Sequence, residues 1–66
     1  MKVEGKKVKN IVECWKDPYS TLFQCIMYQP EDKHKPEINP NLTKLVYRYY
    51  FDNNHNVVTK EVNNER

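Results

Sequence analysis

The sequence predicts a mainly β fold, a small antiparallel sheet of about four strands in two hairpins, either open or rolled toward a barrel. Residues 45–51 alternate aromatic, β-branched and polar side chains, residues 53–56 are polar turn formers, and a second β-branched run follows at 57–62. A second pair of apolar runs flanks Asp17-Pro18. With 66 residues, the chain forms one small domain (1–66) and has a narrow stability margin.

The first hairpin begins after Gly5, which is the only glycine and a natural turn point. Val8, Ile11, Val12, Cys14 and Trp15 then form a run typical of a strand, because β-branched residues are poor helix starters. Asp17 and Pro18 favour the first two positions of a β-turn and end this strand.

The returning strand is the ambiguous part of the chain. Residues 21–28 are rich in aromatic and β-branched side chains, which favours a strand. An alternative α+β fold has a short helix at 20–29, capped by Ser20, on a three-stranded sheet. Such a short helix is marginal without packing, so the strand is preferred.

The two cysteines become cross-strand neighbours if the first hairpin closes through a four-residue loop at 18–21. Cys14 then lies opposite Cys25 on one face of the sheet. Buried free thiols are the first interpretation, because a reducing cytosol disfavours disulfides. A disulfide or redox pair is the second interpretation. A zinc site is the third, although the spacing lacks a metal-binding signature.

Residues 29–41 carry three of the four prolines and only one strongly apolar residue, Ile38. This composition predicts a long, exposed, Pro-rich charged loop that is mobile. Residues 63–66 are polar and terminal, so we expect a frayed tail.

Alternation along the second hairpin divides its side chains between two faces of the sheet. The more apolar set is expected to face the core and the more polar set to face outward. The expected inward set is Leu45, Tyr47, Tyr49 and Phe51; the expected outward set is Val46, Arg48, Tyr50 and Asp52.

Composition excludes several classes of function. The net charge is +2, which is too balanced for a dedicated duplex-DNA binder. The chain has no run of 18 apolar residues and no charged-then-apolar leader, so we expect no membrane association and a cytoplasmic location. His34 and His55 lack a neighbouring nucleophile, and a single glycine cannot build a phosphate loop. We therefore expect no enzymatic activity, no cofactor and no metal.

Function is expected to depend on the aromatic side chains. Outward-facing Arg48 and Tyr50 would suit a protein-binding hot spot, because Tyr and Arg are enriched there. The alternative is single-stranded nucleic-acid binding, with bases stacked on the hairpin and phosphates held by Lys44, Lys60, Lys7 and Lys9. A homodimer through an exposed edge strand is a further possibility.

The codon usage implied by nine lysines, two arginines and eight asparagines suggests an AT-rich genome. A small, non-catalytic chain from such a genome suits a phage- or mobile-element-encoded inhibitor that binds a host protein. This origin is an expectation about context, since no motif in the chain names the partner.

Overall fold

The computed structural model describes residues 1–63, and every regular element in that range is a β-strand. Two short strands precede four longer ones. The bounds are β1 Lys2–Val3, β2 Lys6–Lys7, β3 Asn10–Lys16, β4 Phe23–Tyr28, β5 Lys44–Phe51 and β6 Val57–Val62. The mainly β class predicted from the sequence is therefore confirmed.

The four longer strands form one antiparallel sheet in the order β4-β3-β5-β6. The two predicted hairpins, β3–β4 and β5–β6, join through the pairing of β3 with β5. The sheet stays open and does not close into a barrel. The alternative helix at 20–29 is wrong, because β4 occupies Phe23–Tyr28 and pairs along its whole length with β3.

The register of the first hairpin agrees with the sequence prediction. Asp17 N–H donates to the Leu22 carbonyl at 3.1 Å, so residues 18–21 form the loop. Pairing then places Cys14 opposite Cys25. Since Asp17 and Leu22 form a hydrogen-bonded pair, alternation makes Cys14 and Cys25 a non-hydrogen-bonded pair, where Cα atoms approach most closely.

The N-terminal hairpin of β1 and β2 was not predicted as a separate sheet, although Gly5 was identified as its turn. Glu4 and Gly5 form a two-residue loop with φ of 52° and 78°. Positive φ at both loop residues is the requirement of a type I′ turn, which matches the twist of the flanking strands. Glycine meets this requirement freely, whereas glutamate adopts it at a cost.

We expect Glu4→Asn to raise the free energy of unfolding by about 0.5–1 kcal/mol, because asparagine tolerates left-handed φ better than glutamate. Urea denaturation measures the change. Gly5→Ala is the control and should change stability in the opposite direction. Nothing lies within 4 Å of the added Cβ, so only the left-handed backbone conformation of residue 5 (φ +78°) opposes the alanine. A Glu4→Asn variant less stable than the native chain would contradict this account of the turn.

The turn between β5 and β6 lies where the sequence predicted it. Asp52 Oδ1 accepts hydrogen bonds from the backbone N–H groups of Asn54 and Asn56 at 2.8 and 2.9 Å. The left-handed residue is His55, with φ of 63°. The backbone hydrogen bond from Asn56, followed by that from Asn54, holds the pKa of Asp52 below its ordinary value.

One face of the sheet is covered, and the core lies beneath the cover. Val8, Ile11 and Tyr50 form a buried cluster, against which Val3, Tyr28 and Val58 pack. The N-terminal hairpin therefore covers one part of this face. The loop after β4 also returns to this face, because Lys35 Nζ lies 4.9 Å from the centre of the Tyr28 ring.

The predicted division of β5 between core and solvent is wrong from Tyr47 onward, whereas Leu45, beyond a register shift, lies opposite Trp15 on the covered face. Tyr50 was expected to face outward, yet it is only 9% exposed and belongs to the core cluster. Tyr47, Tyr49 and Phe51 were expected in the core, yet they lie on the opposite face and are half-buried. On the covered face, the buried ring of Tyr50 and the buried carboxylate of Glu13 occupy positions that a simple preference of apolar residues for the core does not predict.

The segment at 29–41 contains no strand or helix, as predicted for a loop. Its mobility stays a prediction. Of the tail at 63–66, residues 64–66 lie outside the described residues. Asn63 is not frayed, because its backbone N–H donates to the Val46 carbonyl at 3.0 Å and its side-chain amide to the Leu45 carbonyl at 3.1 Å.

Candidate binding face

The second face of the four-stranded sheet, here called the open face, is the candidate functional site. Residues directly opposite each other on paired strands share a face, so the register assigns its members. It comprises Asn10, Val12, Cys14 and Lys16 of β3; Phe23, Cys25 and Met27 of β4; Lys44, Tyr47, Tyr49 and Phe51 of β5; and Val57, Lys60 and Val62 of β6.

Large apolar side chains on the open face are exposed to solvent. Phe23 is 50% exposed, Met27 63%, Val57 49% and Val62 50%. They lie on the two edge strands, with the aromatic residues of β5 between them. Single exposed apolar residues are ordinary, but a contiguous group on one face is typical of an interaction site.

Three aromatic side chains follow one another at every second position of β5. The ring centres of Tyr47 and Tyr49 lie 5.2 Å apart in an edge-to-face arrangement. Those of Tyr49 and Phe51 lie 6.2 Å apart, with the planes 27° from parallel. The rings support one another, so this aromatic row is a pre-organised surface rather than a set of independent side chains.

A disulfide between Cys14 and Cys25 crosses the open face beside this row. The expectation of free thiols is therefore wrong, and the second interpretation, a bridge, is the one found. The predicted register brings the two Cα atoms to 4.0 Å, so the sulfurs meet directly. Cys14 is fully buried whereas Cys25 is exposed, and Cys25 Sγ lies 3.9 Å from the Tyr47 hydroxyl.

The charged residues in the strands of the open face are all lysines. Lys16 lies opposite both Phe23 and Lys44, and Lys60 lies opposite Tyr49. The six strands contain two carboxylates, Glu13 and Glu61, and both belong to the covered face.

Glu13 is the centre of a polar network on that covered face, where it is 2% exposed. Its carboxylate accepts hydrogen bonds from Trp15 Nε1 at 3.1 Å, from the Tyr28 hydroxyl and from Arg48 Nε at 2.8 Å. Lys35 Nζ lies 3.8 Å away, so the loop after β4 is tied to the same group. Each carboxylate oxygen therefore has a donor, as a buried charge requires.

The pKa of Glu13 reflects two opposing effects. Burial alone would raise it, but the hydrogen bonds from Tyr28, Trp15 and Arg48, with the positive charge of Arg48, outweigh burial and hold the pKa below its ordinary value. Burial and the hydrogen bond to Glu13 raise the pKa of the Tyr28 hydroxyl. The network thus contains a carboxylate that stays ionised and a phenol that stays protonated. This combination favours a structural role for both groups.

The residues predicted to bind a partner are divided between different surfaces. Arg48 and Tyr50 lie in the network, since Arg48 Nη1 pairs with Glu61 Oε2 at 3.3 Å and the Tyr50 hydroxyl donates to Glu61 Oε1 at 2.9 Å. Lys44 and Lys60 lie on the open face. Lys7 lies in the separate N-terminal hairpin, and Lys9 follows it, with its backbone N–H 2.7 Å from the Phe51 carbonyl.

Sequence reasoning missed Phe23, Met27, Tyr47, Tyr49 and Phe51 as candidate binding residues. Their signal was present as aromatic residues at every second position, but the same pattern was interpreted as core. Among residues 1–63, the structure contains no group of three or more His, Cys, Asp or Glu side chains arranged to hold a metal ion. No helix in this described part is long and apolar enough to cross a membrane.

Comparisons with known proteins identify no relative of this chain: no family model, curated protein or solved structure matches it.

Proposed function

We propose that the chain is a small, non-catalytic protein-binding module that docks its open face onto a partner protein. The observation that carries this proposal is the difference between the two sides of one sheet. The covered face has the N-terminal hairpin and the loop after β4 above it, whereas none of the described segments contributes a buried cluster to the open face.

The composition of the open face supports a protein partner. Tyr, Phe and Met are enriched in the centres of protein interfaces, and lysines are commoner at their rims. The molecule measures 37 × 28 × 15 Å, so it is thin and presents a broad surface. Such a surface is of the size that a standard interface needs, roughly 800 Å² per partner.

Single-stranded nucleic acid is the second candidate, since the open face combines aromatic rings with Lys16, Lys44 and Lys60. Base stacking needs accessible ring faces. Tyr49 and Phe51 are stacked together, and Tyr47 meets Tyr49 edge to face, so much of the ring surface is already in use. This arrangement favours a protein partner over stacked bases.

As biological context, we propose that the chain is encoded by a phage or mobile element and inhibits a host protein by occupying its surface. The cytoplasmic location predicted from the sequence belongs to the same proposal. The disulfide between Cys14 and Cys25 counts against this location, because disulfides are more typical of oxidising compartments. The alternative is a homodimer, in which a second copy of the chain covers the open face or pairs with an edge strand, β4 or β6.

We expect Phe23→Ser/Met27→Ser to weaken partner binding by at least about tenfold, because the truncation removes exposed apolar anchors worth about 1.4 kcal/mol or more. Tyr49→Ser should weaken it similarly. Affinity capture from lysates of low-GC bacteria, with nuclease treatment and at two salt concentrations, provides the measurement.

The matched control is Tyr19→Ser, because Tyr19 is 95% exposed in the β3–β4 turn, away from the open face. It should bind as the native chain does. Capture that is lost after nuclease treatment and falls steeply with salt would instead support nucleic-acid binding. Equal capture by the native chain and both open-face variants would exclude the open face as the docking surface.

A further inference from the structure

We infer that the partner surface is acidic around an apolar centre, so that carboxylates of the partner surround the residues that meet the aromatic row. This inference rests on the proposed function and names the chemistry of the partner. It follows from how charge is distributed between the two faces of the sheet.

Negative charge in the strands is confined to the covered face. Glu13 is buried there, and Glu61 pairs with Arg48 and accepts from Tyr50. Arg48 Nε lies 2.8 Å from Glu13 and Nη1 lies 3.3 Å from Glu61, so the two carboxylates and the guanidinium form one paired group. These carboxylates therefore do not neutralise the positive charge of the lysines on the open face.

Positive charge flanks the apolar part of the open face. Lys16 lies opposite exposed Phe23 on one side, and exposed Lys60 lies opposite Tyr49 on the other. Outside the strands, the carboxylates next in sequence to residues of this face are Asp17, which follows Lys16, and Asp52, which follows Phe51. Both accept backbone hydrogen bonds within their turns, at 2.8 Å from Tyr19 N–H and at 2.8 and 2.9 Å in the second turn.

This charge pattern discriminates between possible occupants. Two copies packed through their open faces would bring the lysines of both copies into one interface, and like charges there are unfavourable. Nucleic acid is anionic, but the packed rings offer it little surface for stacking. An acidic protein surface satisfies both the lysines and the apolar centre, and such complementarity raises association rates and selects partners.

Selection from a displayed library of random peptides tests the inference without a known partner. We expect the immobilised native chain to enrich peptides with Asp or Glu flanking apolar residues. Their dissociation constants should rise at least tenfold for Lys16→Glu/Lys60→Glu. The control Lys2→Glu/Lys33→Glu makes the same change in net charge at exposed lysines outside the open face, and its dissociation constants should stay within twofold.

The outcomes separate this inference from the proposed function. Enriched peptides that are neutral or basic, yet lose binding with Phe23→Ser/Met27→Ser, would overturn the acidic partner and leave the protein-binding role intact. Peptides that bind the native chain and Phe23→Ser/Met27→Ser equally would overturn the protein-binding role itself. A labelled oligothymidylate of 20 nucleotides that binds more tightly than the selected peptides would also overturn the inference.

Discussion

Glu13→Gln is expected to lower the free energy of unfolding by about 3 kcal/mol, because it removes the charge from a buried group whose partners remain in place. Glu13 is 2% exposed and lies at the middle of β3, the strand that joins the two hairpins. A loss at this position therefore affects β4 on one side and β5 on the other. Urea denaturation at pH 7 measures the change.

The amide cannot replace the carboxylate for geometric reasons. Both carboxylate oxygens accept hydrogen bonds, one from Trp15 Nε1 and the other from the Tyr28 hydroxyl and Arg48 Nε. Glutamine has one acceptor oxygen and one NH₂ donor. In either orientation, a donor of the amide faces a donor of the network, and one buried group loses its partner.

Glu61→Gln is the matched control. It removes a carboxylate from the same network, 3.3 Å from Arg48 Nη1, but the Glu61 side chain is 54% exposed. Solvent screens this pair, so we expect a loss below about 1 kcal/mol. Equal losses for Glu13→Gln and Glu61→Gln would show that the burial of Glu13 does not govern the stability of the network.

Glu13→Gln also changes the dependence of stability on pH. The pKa of Glu13 is lower in the folded chain than its ordinary value of 4.5, so the unfolded chain binds this proton more readily. The contribution to stability is thus present above about pH 4.5 and is lost as the pH falls through the folded-state pKa. As the pH falls below about 4.5, Glu13→Gln should therefore lose less stability than the native chain does. The lowered pKa of Asp52 contributes equally in both chains and cancels in the comparison.

The sequence predicted the local parts of the fold well, because local chemistry determines them. Asp17-Pro18 set the turn, and the turn set the register that places Cys14 opposite Cys25. Polar residues 53–56 marked the second turn. The strand at 23–28 followed from side chains that favour an extended chain over a short helix.

The choice of covered face was predicted wrongly, because it depends on contacts between distant segments. Alternation divides β5 into two sets but does not say which set is covered. The cover comes from polar segments that contribute single apolar residues, such as Val3 and Val8. Glu13 and Arg48 pair across 35 positions of sequence, which no local pattern reveals.

The candidate site proposed from the structure differs in place from the one predicted from the sequence. An aromatic sheet face flanked by lysines was expected, and Lys44 and Lys60 do lie on the open face. Arg48 and Tyr50, which were predicted to face outward, lie on the covered face of the same strand. The disulfide was placed second to free thiols because the premise of a reducing compartment outweighed a register that already brought the two sulfurs together.

Removing the disulfide is expected to lower the free energy of unfolding by about 3 kcal/mol, the value of the chain-entropy model for a loop of about a dozen residues. The bridge joins residues 11 positions apart. A chain of this length has a total stability of roughly 3–10 kcal/mol, so the loss is a large fraction. Denaturation of the native chain with and without dithiothreitol measures it. The variant Cys14→Ala/Cys25→Ala, which the reductant should not affect, is the control.

The loss should be concentrated in β4, because this edge strand pairs with β3 alone and the bridge joins these two strands. Hydrogen exchange should therefore accelerate more in β4 than in β5, which is paired on both sides. Because β4 carries Phe23 and Met27, reduction should also weaken binding through the open face. Uniform acceleration in all four strands, or unchanged exchange in β4, would contradict the view that the bridge anchors this edge of the binding surface.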